Sequence, residues 1–311
     1  MSTTFHVVGA GIVGRRIERL LHERVVAVHP PRQPDLARVR PGDTVLLAQA
    51  GEHAHTASQA LEAGAHVVSV GDGPTDTRAQ MGLGTLARER GVALVVGASL
   101  APGLACLIAR HLATPLASVD EIHVAVHGTA GPACAREHHA GLRGPAIGWH
   151  DESWVEYIGG SGRELCWFPE PIGARDCYRV AHSAPVVLQR AFPGVQRVSF
   201  RRSATRRDRL TARLPMLRPP HPEGGVGALR VEVRGAAPDG ARVSAVAGIA
   251  ELVGTATAAT AVAFAERVTD LEPGLVLPGS TAVPTLDLLH AVEAHGVRLQ
   301  TFTGIPVSVA S

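Results

Sequence analysis

Gly9, Gly11 and Gly14 stand at the spacing G-x-G-x-x-G near the start of the chain. They follow a β-branched and aromatic run, Thr3 to Val8, and open a helical pattern, Ile12 to His22, with Ile17, Leu20 and Leu21 on one face. A short apolar run, Val25 to Val28, comes next. In this strand–turn–helix–strand context each glycine has a physical task. Gly9 permits a tight turn, Gly11 lets the backbone approach a pyrophosphate, and Gly14 lets helix and strand pack closely. The pyrophosphate charge would rest on the helix N-terminus, beside Ile12 and Val13. The expected chemistry is dinucleotide binding.

The end of the second run bears on which dinucleotide. An acid there would hydrogen-bond the adenosine ribose. The chain reads Val28-His29-Pro30-Pro31-Arg32, with no acid before Asp35. Arg32, helped by His29 and Arg15, suits a 2′-phosphate instead, so NADP(H) is expected over NAD(H).

A second group of reactive side chains lies between Arg136 and Trp154: Arg136, Glu137, His138, His139, Arg143, His150, Asp151 and Glu152. Glu137-His138-His139 has no companion cluster at metal-ligand spacing, so no metal is expected. Imidazole near neutral pH suits proton transfer at an imine or alcohol, although packing or surface roles account for many histidines. His138, His139 and Asp72 are the candidate proton carriers. Glu137 and Tyr178 are candidates for contacting substrate, and Arg143 for gripping a substrate carboxylate. A third patch, Arg197 to Arg213, carries seven arginines. It could clamp phosphate or carboxylate, face solvent, or line a dimer surface. With Phe200 its only aromatic, it makes a poor nucleic-acid platform.

These residues need elements to hold them. Asp43 to Gln49, Ala65 to Val70 and Val92 to Val96 read as buried strands. Between and after them, Glu52 to Ala63, Thr75 to Arg90 and Leu104 to Leu112 read as helices. That alternation predicts a Rossmann-like, doubly wound parallel sheet. Ligands then bind beyond the carboxyl ends of the strands, so Gln49 and Ala50, Gly71 and Asp72, and the loop from Gly97 to Gly103 should face the cofactor. Asp72 is equally readable as a helix cap ahead of Pro74. From Val119 the pattern changes to period two, and strand-like runs recur at Trp154 to Ile158, Val195 to Phe200, Leu229 to Arg234 and Val243 to Ala250. They predict an α+β second domain with a mostly antiparallel sheet. The expected divisions are 1–117 for dinucleotide binding, 118–252 for substrate and dimerisation, and 253–311 returning toward the first domain.

Composition narrows the chemistry. The 311 residues carry a net charge of +2 and are 45% hydrophobic, ordinary for a globular protein and too apolar for disorder. All 30 basic residues are arginine; there is no lysine and no asparagine. Schiff-base chemistry, a pyridoxal phosphate anchor, a Walker lysine, a Tyr-Lys pair and N-glycosylation are thereby excluded. Cys106, Cys134, Cys166 and Cys177 are widely spaced, as expected of reduced thiols. The start of the chain lacks a secretory pattern, and the membrane-like stretch Val243 to Ala265 is interrupted by Glu251. It reads as a strand followed by a buried helix. A cytoplasmic protein with no membrane or nucleic-acid partner is expected.

The segment Val96-Gly97-Ala98-Ser99-Leu100-Ala101-Pro102-Gly103-Leu104 resembles the strand–loop–helix signature of the saccharopine dehydrogenase-like reductases, with Ser99 in place of the second glycine of G-x-G-x-x-P-G-L. The resemblance spans the nucleotide half. It resumes at Thr255 to Val268 and at Pro284 to His295 with Gly296-Val297, and is weak over 151–225. It implies Ala98, Ser99 and Pro102 at the cofactor, a homodimer, and NAD(P)-linked hydride transfer at a carbon–nitrogen bond of an amino acid or imine. Some relatives use a catalytic lysine. This chain has none, so proton transfer falls to His, Asp, Glu, Tyr, Cys or water. The alternative is a dinucleotide-binding regulatory or structural protein without catalysis.

Overall fold

A computed structural model describes residues 4–30, 34–216 and 219–301. The first unit runs β1 (Phe5–Val8), α1 (Ile12–Leu21), β2 (Val25–His29), β3 (Thr44–Leu47), α2 (Ala54–Glu62), β4 (His66–Ser69), α3 (Pro74–Gly82), α4 (Gly84–Glu89), β5 (Ala93–Val96) and α5 (Ala105–Ala113). β1, β3 and β5 are buried at every position, as a parallel sheet covered on both faces requires. The helix expected over Thr75 to Arg90 is two helices, because the chain turns at Leu83 between Gly82 and Gly84. Glycine on both sides weakens helix continuity there.

The second unit runs β6 (Ser118–His127), α6 (Pro132–Gly141), β7 (Pro145–His150), β8 (Ser153–Ile158), β9 (Glu164–Phe168), β10 (Gly173–Arg179), α7 (Ala184–Ala191), β11 (Arg197–Ser203), α8 (Arg206–Thr211), β12 (Val226–Ala236) and β13 (Arg242–Leu252). The chain closes with α9 (Val253–Glu266), β14 (Gly274–Val276), α10 (Thr285–Ala294) and β15 (Gln300–Thr301).

Two sheets result. The first has the order β14-β5-β4-β3-β1-β2 and is parallel throughout. Its far edge is supplied by β14, from the end of the chain. The second is ordered β15-β13-β12-β6-β11-β10-β9, with β7 and β8 attached through β11. Its pairs are antiparallel except β6 with β11. The fold is therefore a Rossmann-type sheet with a second, mostly antiparallel sheet.

Helix α9 joins the two. It is buried at twelve of its fourteen positions and touches α1, α10 and both sheets. Alanine on every face is the sequence consequence of a helix with no solvent side. The apolar stretch Val243 to Ala265 is β13 followed by this helix, and no helix among the described residues is long and apolar enough to cross a membrane.

Candidate functional site

A cleft of about 1020 Å³ runs between the two sheets, at the upper end of the range for small-molecule pockets. One end is the turn after β1. Gly9 has φ +114°, and a Cβ on it would meet the Ala48 carbonyl carbon at 2.7 Å. A Cβ on Gly14 would stand 1.7 Å from the Gly9 carbonyl oxygen. Both positions therefore require glycine for packing. Gly11 differs: nothing lies within 4 Å of its Cβ position. The space ahead of the α1 N-terminus is open, as a pyrophosphate would need. Gln49, just past β3, holds a buried side-chain oxygen with no partner among the described residues. This end fits a dinucleotide: a glycine turn with room beside Gly11, an α1 N-terminus with no side-chain cap, and an amide oxygen without a partner among the described residues. Gly9, Gly11, Ile12, Val13, Gln49, Ala50, Gly71, Asp72 and Ser99 all line the cleft.

Other expected cofactor contacts are placed elsewhere. Ala98 and Pro102 are buried beneath the loop and do not line the cleft. His29 is turned into the fold. Its Nε2 lies 3.2 Å from His6 Nδ1, and His6 Nε2 lies 3.2 Å from the Asp43 carboxylate. The ring is committed to that buried relay and does not line the cleft, which corrects its assignment beside a 2′-phosphate. Arg15 lines the cleft with an exposed side chain. Arg32 lies outside the described residues.

His53, on the cleft wall, is also spoken for. Its Nε2 faces the Gln49 carbonyl at 2.9 Å and its Nδ1 faces Ser69 Oγ at 2.8 Å. Asp76 accepts the backbone N–H groups of His53 and Ala54, each at 3.0 Å, and so caps α2 from a neighbouring helix.

At the other end, Asp72 leaves β4 and meets His182, which leaves β10. His182 Nε2 lies 3.4 Å from Asp72 Oδ2, and the Ser183 N–H donates to the Asp72 carbonyl at 2.9 Å. His182 is buried, with its ring stacked on Phe200 at 3.9 Å. Its Nδ1 accepts the Ala184 N–H at 3.0 Å. A backbone N–H can only donate, so a neutral ring carries its proton on Nε2 and offers it to Asp72. Burial keeps the ring neutral against the opposing pull of Asp72. Burial works against ionised Asp72, but the His182 Nε2 contact and the Arg202 charge outweigh it and hold the carboxyl below its ordinary value.

Glu137 projects from α6 into the same space and accepts the Gly51 N–H at 3.3 Å. Burial and the negative charge of Asp72 push its carboxyl up. Two carboxyls of one cleft are thus driven apart, one held ionised and one nearer neutrality. Neighbouring His138 also lines the cleft. Its Nε2 donates to the Ser203 carbonyl at 3.1 Å, and burial with the Arg202 charge keeps it neutral to well below its ordinary value.

Three expected substrate or proton-transfer residues do not line the cleft. His139 faces away, with its Nε2 at 3.1 Å from the Thr211 carbonyl and 3.0 Å from that of Leu214. Tyr178 is buried with the Arg209 guanidinium 4.1 Å above its ring. Arg143 is exposed beyond the end of α6. The sequence reading missed His182 and Arg202. Arg202, on β11, is 6% exposed and lines the cleft. It donates to the Gly128 carbonyl at 3.0 Å and to Cys134 Sγ at 3.4 Å, and its Nε has no partner among the described residues. In sequence it was one of seven arginines in a patch; period two on β11 was the available signal that it faces away from Arg201.

Solved structures share this arrangement of sheets. Saccharopine dehydrogenase (L-Glu forming) from Saccharomyces cerevisiae matches with a TM-score of 0.68, covering 96% of this chain and all of that one at 12% identity. The chain has the saccharopine dehydrogenase fold. An engineered D-amino acid dehydrogenase bound to NADP+ matches with a TM-score of 0.53 at 14% identity, over 92% of this chain and 96% of that one. The C. glutamicum DAP dehydrogenase in complex with DAP matches with a TM-score of 0.52 at 15% identity, over 94% and 98%. No family model and no curated sequence matches the chain. The saccharopine dehydrogenase likeness spans the middle, 151–225, where the sequence resemblance is weak.

Proposed function

We propose that the protein is an NADP(H)-dependent oxidoreductase that transfers hydride at the carbon–nitrogen bond of an amino-acid-like substrate or its imine. The observation that carries this reading is the single cleft with an open glycine turn at one end and Asp72, His182 and Glu137 at the other. The solved structures of similar fold, named as dehydrogenases of amino acids, support it. The cofactor would rest on Gly9 to Val13 and Gln49. The preference for NADP(H) rests on Arg32 and Arg15 and on the lack of an acid between β2 and Asp35.

The bound cofactor supplies a hydride acceptor or donor at its nicotinamide. In the oxidising direction the substrate nitrogen gives up a proton as its Cα–H bond pair leaves as hydride, and an imine results. Glu137, its carboxyl pushed toward neutrality, takes that proton. Asp72, held ionised, stabilises the positive charge that develops on the nitrogen. His182 positions Asp72 through its Nε2–H. Water then adds to the imine and ammonia leaves, giving an oxo acid when the substrate is an amino acid.

The test is consumption of NADPH by the purified protein with ammonia and a panel of 2-oxo acids. We expect turnover with NADPH exceeding that with NADH, and Arg32→Ala should erase the difference. Dinucleotide binding without turnover on any amine, imine or carbonyl would favour the regulatory alternative.

A further inference from the structure

Arg202 carries a buried positive charge but forms no ion pair with a carboxylate among the described residues, and its Nε is left without a partner. Asp72 and Glu137 act on this charge from a distance without touching the guanidinium, so its contact shell holds no carboxylate and is completed when a planar anion arrives. A guanidinium presents paired N–H groups to a planar carboxylate.

The other arginines on the cleft, Arg15 and Arg136, are exposed. Arg15 sits on the first turns of α1, at the glycine end. Water already solvates both, so neither rewards a carboxylate as a desolvated guanidinium does. The charges of Asp72 and Glu137 act on Arg202, so a substrate with two carboxylates meets more repulsion here than a substrate with one.

The wall supplied by the second sheet and its flanking segments carries small apolar side chains, Val126, Ala130, Ala133, Ala140, Val180 and Ala181, set among the polar Cys134, Arg136, Glu137, His138 and His182. Val126 pairs with Arg202 across β6 and β11, so this wall begins beside the guanidinium. A charged or amide side chain lying there would lose water and find no partner from these six side chains. An aliphatic or aromatic one would gain in proportion to the apolar area it buries.

We infer that the substrate is an α-amino acid with one carboxylate and an apolar side chain, its carboxylate received by Arg202 and its side chain by the Val126–Val180 wall. The inference rests on the proposed hydride chemistry and names its substrate class. The overall reaction is amino acid, NADP+ and water giving 2-oxo acid, ammonium, NADPH and a proton. The carbon is oxidised, the nicotinamide reduced, and the nitrogen leaves as ammonium.

The test compares three substrate classes on the wild-type protein: leucine and phenylalanine; glutamate; and 3-methylbutylamine, which is leucine without its carboxylate. The apolar amino acids should exceed the other two by at least about tenfold in kcat/KM. Arg202→Met should lower kcat/KM for leucine about a hundredfold or more while the NADPH Kd stays within about twofold, and Arg202→Lys should recover part of the loss. Faster turnover of glutamate or of the amine overturns the inference and leaves the hydride chemistry standing. An Arg202→Met protein with unchanged leucine kinetics overturns the carboxylate role. No turnover of the apolar amino acids overturns the substrate class, and absence of NADPH binding as well overturns the proposed function itself.

Discussion

Asp72 and His182 come from opposite walls of the cleft and meet with Nε2 3.4 Å from Oδ2. The Ala184 N–H on His182 Nδ1 leaves the ring proton on Nε2, toward Asp72, and the contact keeps Asp72 charged. It also ties the β4 loop to the segment leaving β10, reinforced by the Ser183 N–H on the Asp72 carbonyl. The electrostatics of the site and the juxtaposition of the two units are thus one feature.

Asp72→Asn keeps the shape and removes the charge. It should lower kcat by about 10²–10³-fold with the NADPH Kd unchanged, as loss of a preorganised electrostatic group does. His182→Phe keeps the stack on Phe200 and removes the Nε2–Oδ2 contact. The Asp72 carboxyl, followed by carbon NMR, should then titrate at higher pH than in the parent. An unmoved titration would show that His182 does not hold Asp72 ionised.

Glu137 sets the pH dependence of amine oxidation. The base form takes the proton, so the rate should rise with pH through an inflection above the ordinary glutamate value of about 4.3. Glu137→Gln should lower turnover by about 10²–10⁴-fold and remove that inflection. A pH profile identical in parent and variant would exclude Glu137 as the proton acceptor.

The first unit was legible because its signals are local. Gly9 and Gly14 sit where turn and packing need them and Gly11 where the space stays open, and continuous apolar strands announce a parallel sheet buried on both faces. The cleft wall from the second unit was harder to read. His182 has no neighbouring motif; its role comes from a partner 110 positions earlier in the chain, Asp72. Strands β9 and β10 carry Glu164, Arg175 and Asp176 beside Cys166 and Cys177, so their alternation is weak. His138 and His139 are adjacent on α6, about 100° apart around the helix, so no more than one could face the cleft squarely. The strand ending in His29 had the right position, but the side chain points into the relay with His6.

Histidine burial makes stability pH-dependent. His53, His138 and His182 are all held below their ordinary value, with burial the largest cause in each. The unfolded chain therefore binds more protons than the folded one as pH falls below about 6.5. Stability should be full above that value and decline below it, by up to about 1.4 kcal/mol per pH unit for each histidine. Thermal melts from about pH 7.5 down to about pH 5.5 should show a falling Tm, in a window above the range where Asp43 and Glu232, both held low, would protonate. A flat Tm across this window would contradict the neutral assignment of these rings.

The central claim is that the open space before Gly11 receives the pyrophosphate of NADP(H), and a fluorescence titration of NADPH into parent and Gly11→Val protein tests it most directly. Nothing lies within 4 Å of the Gly11 Cβ position, and its backbone conformation is open to other residues, so the variant should fold with an unchanged circular dichroism spectrum. The parent should bind NADPH, more tightly than NADH, and the variant should lose at least about a hundredfold in affinity for both. A folded Gly11→Val protein that keeps the parent's NADPH affinity would contradict the account.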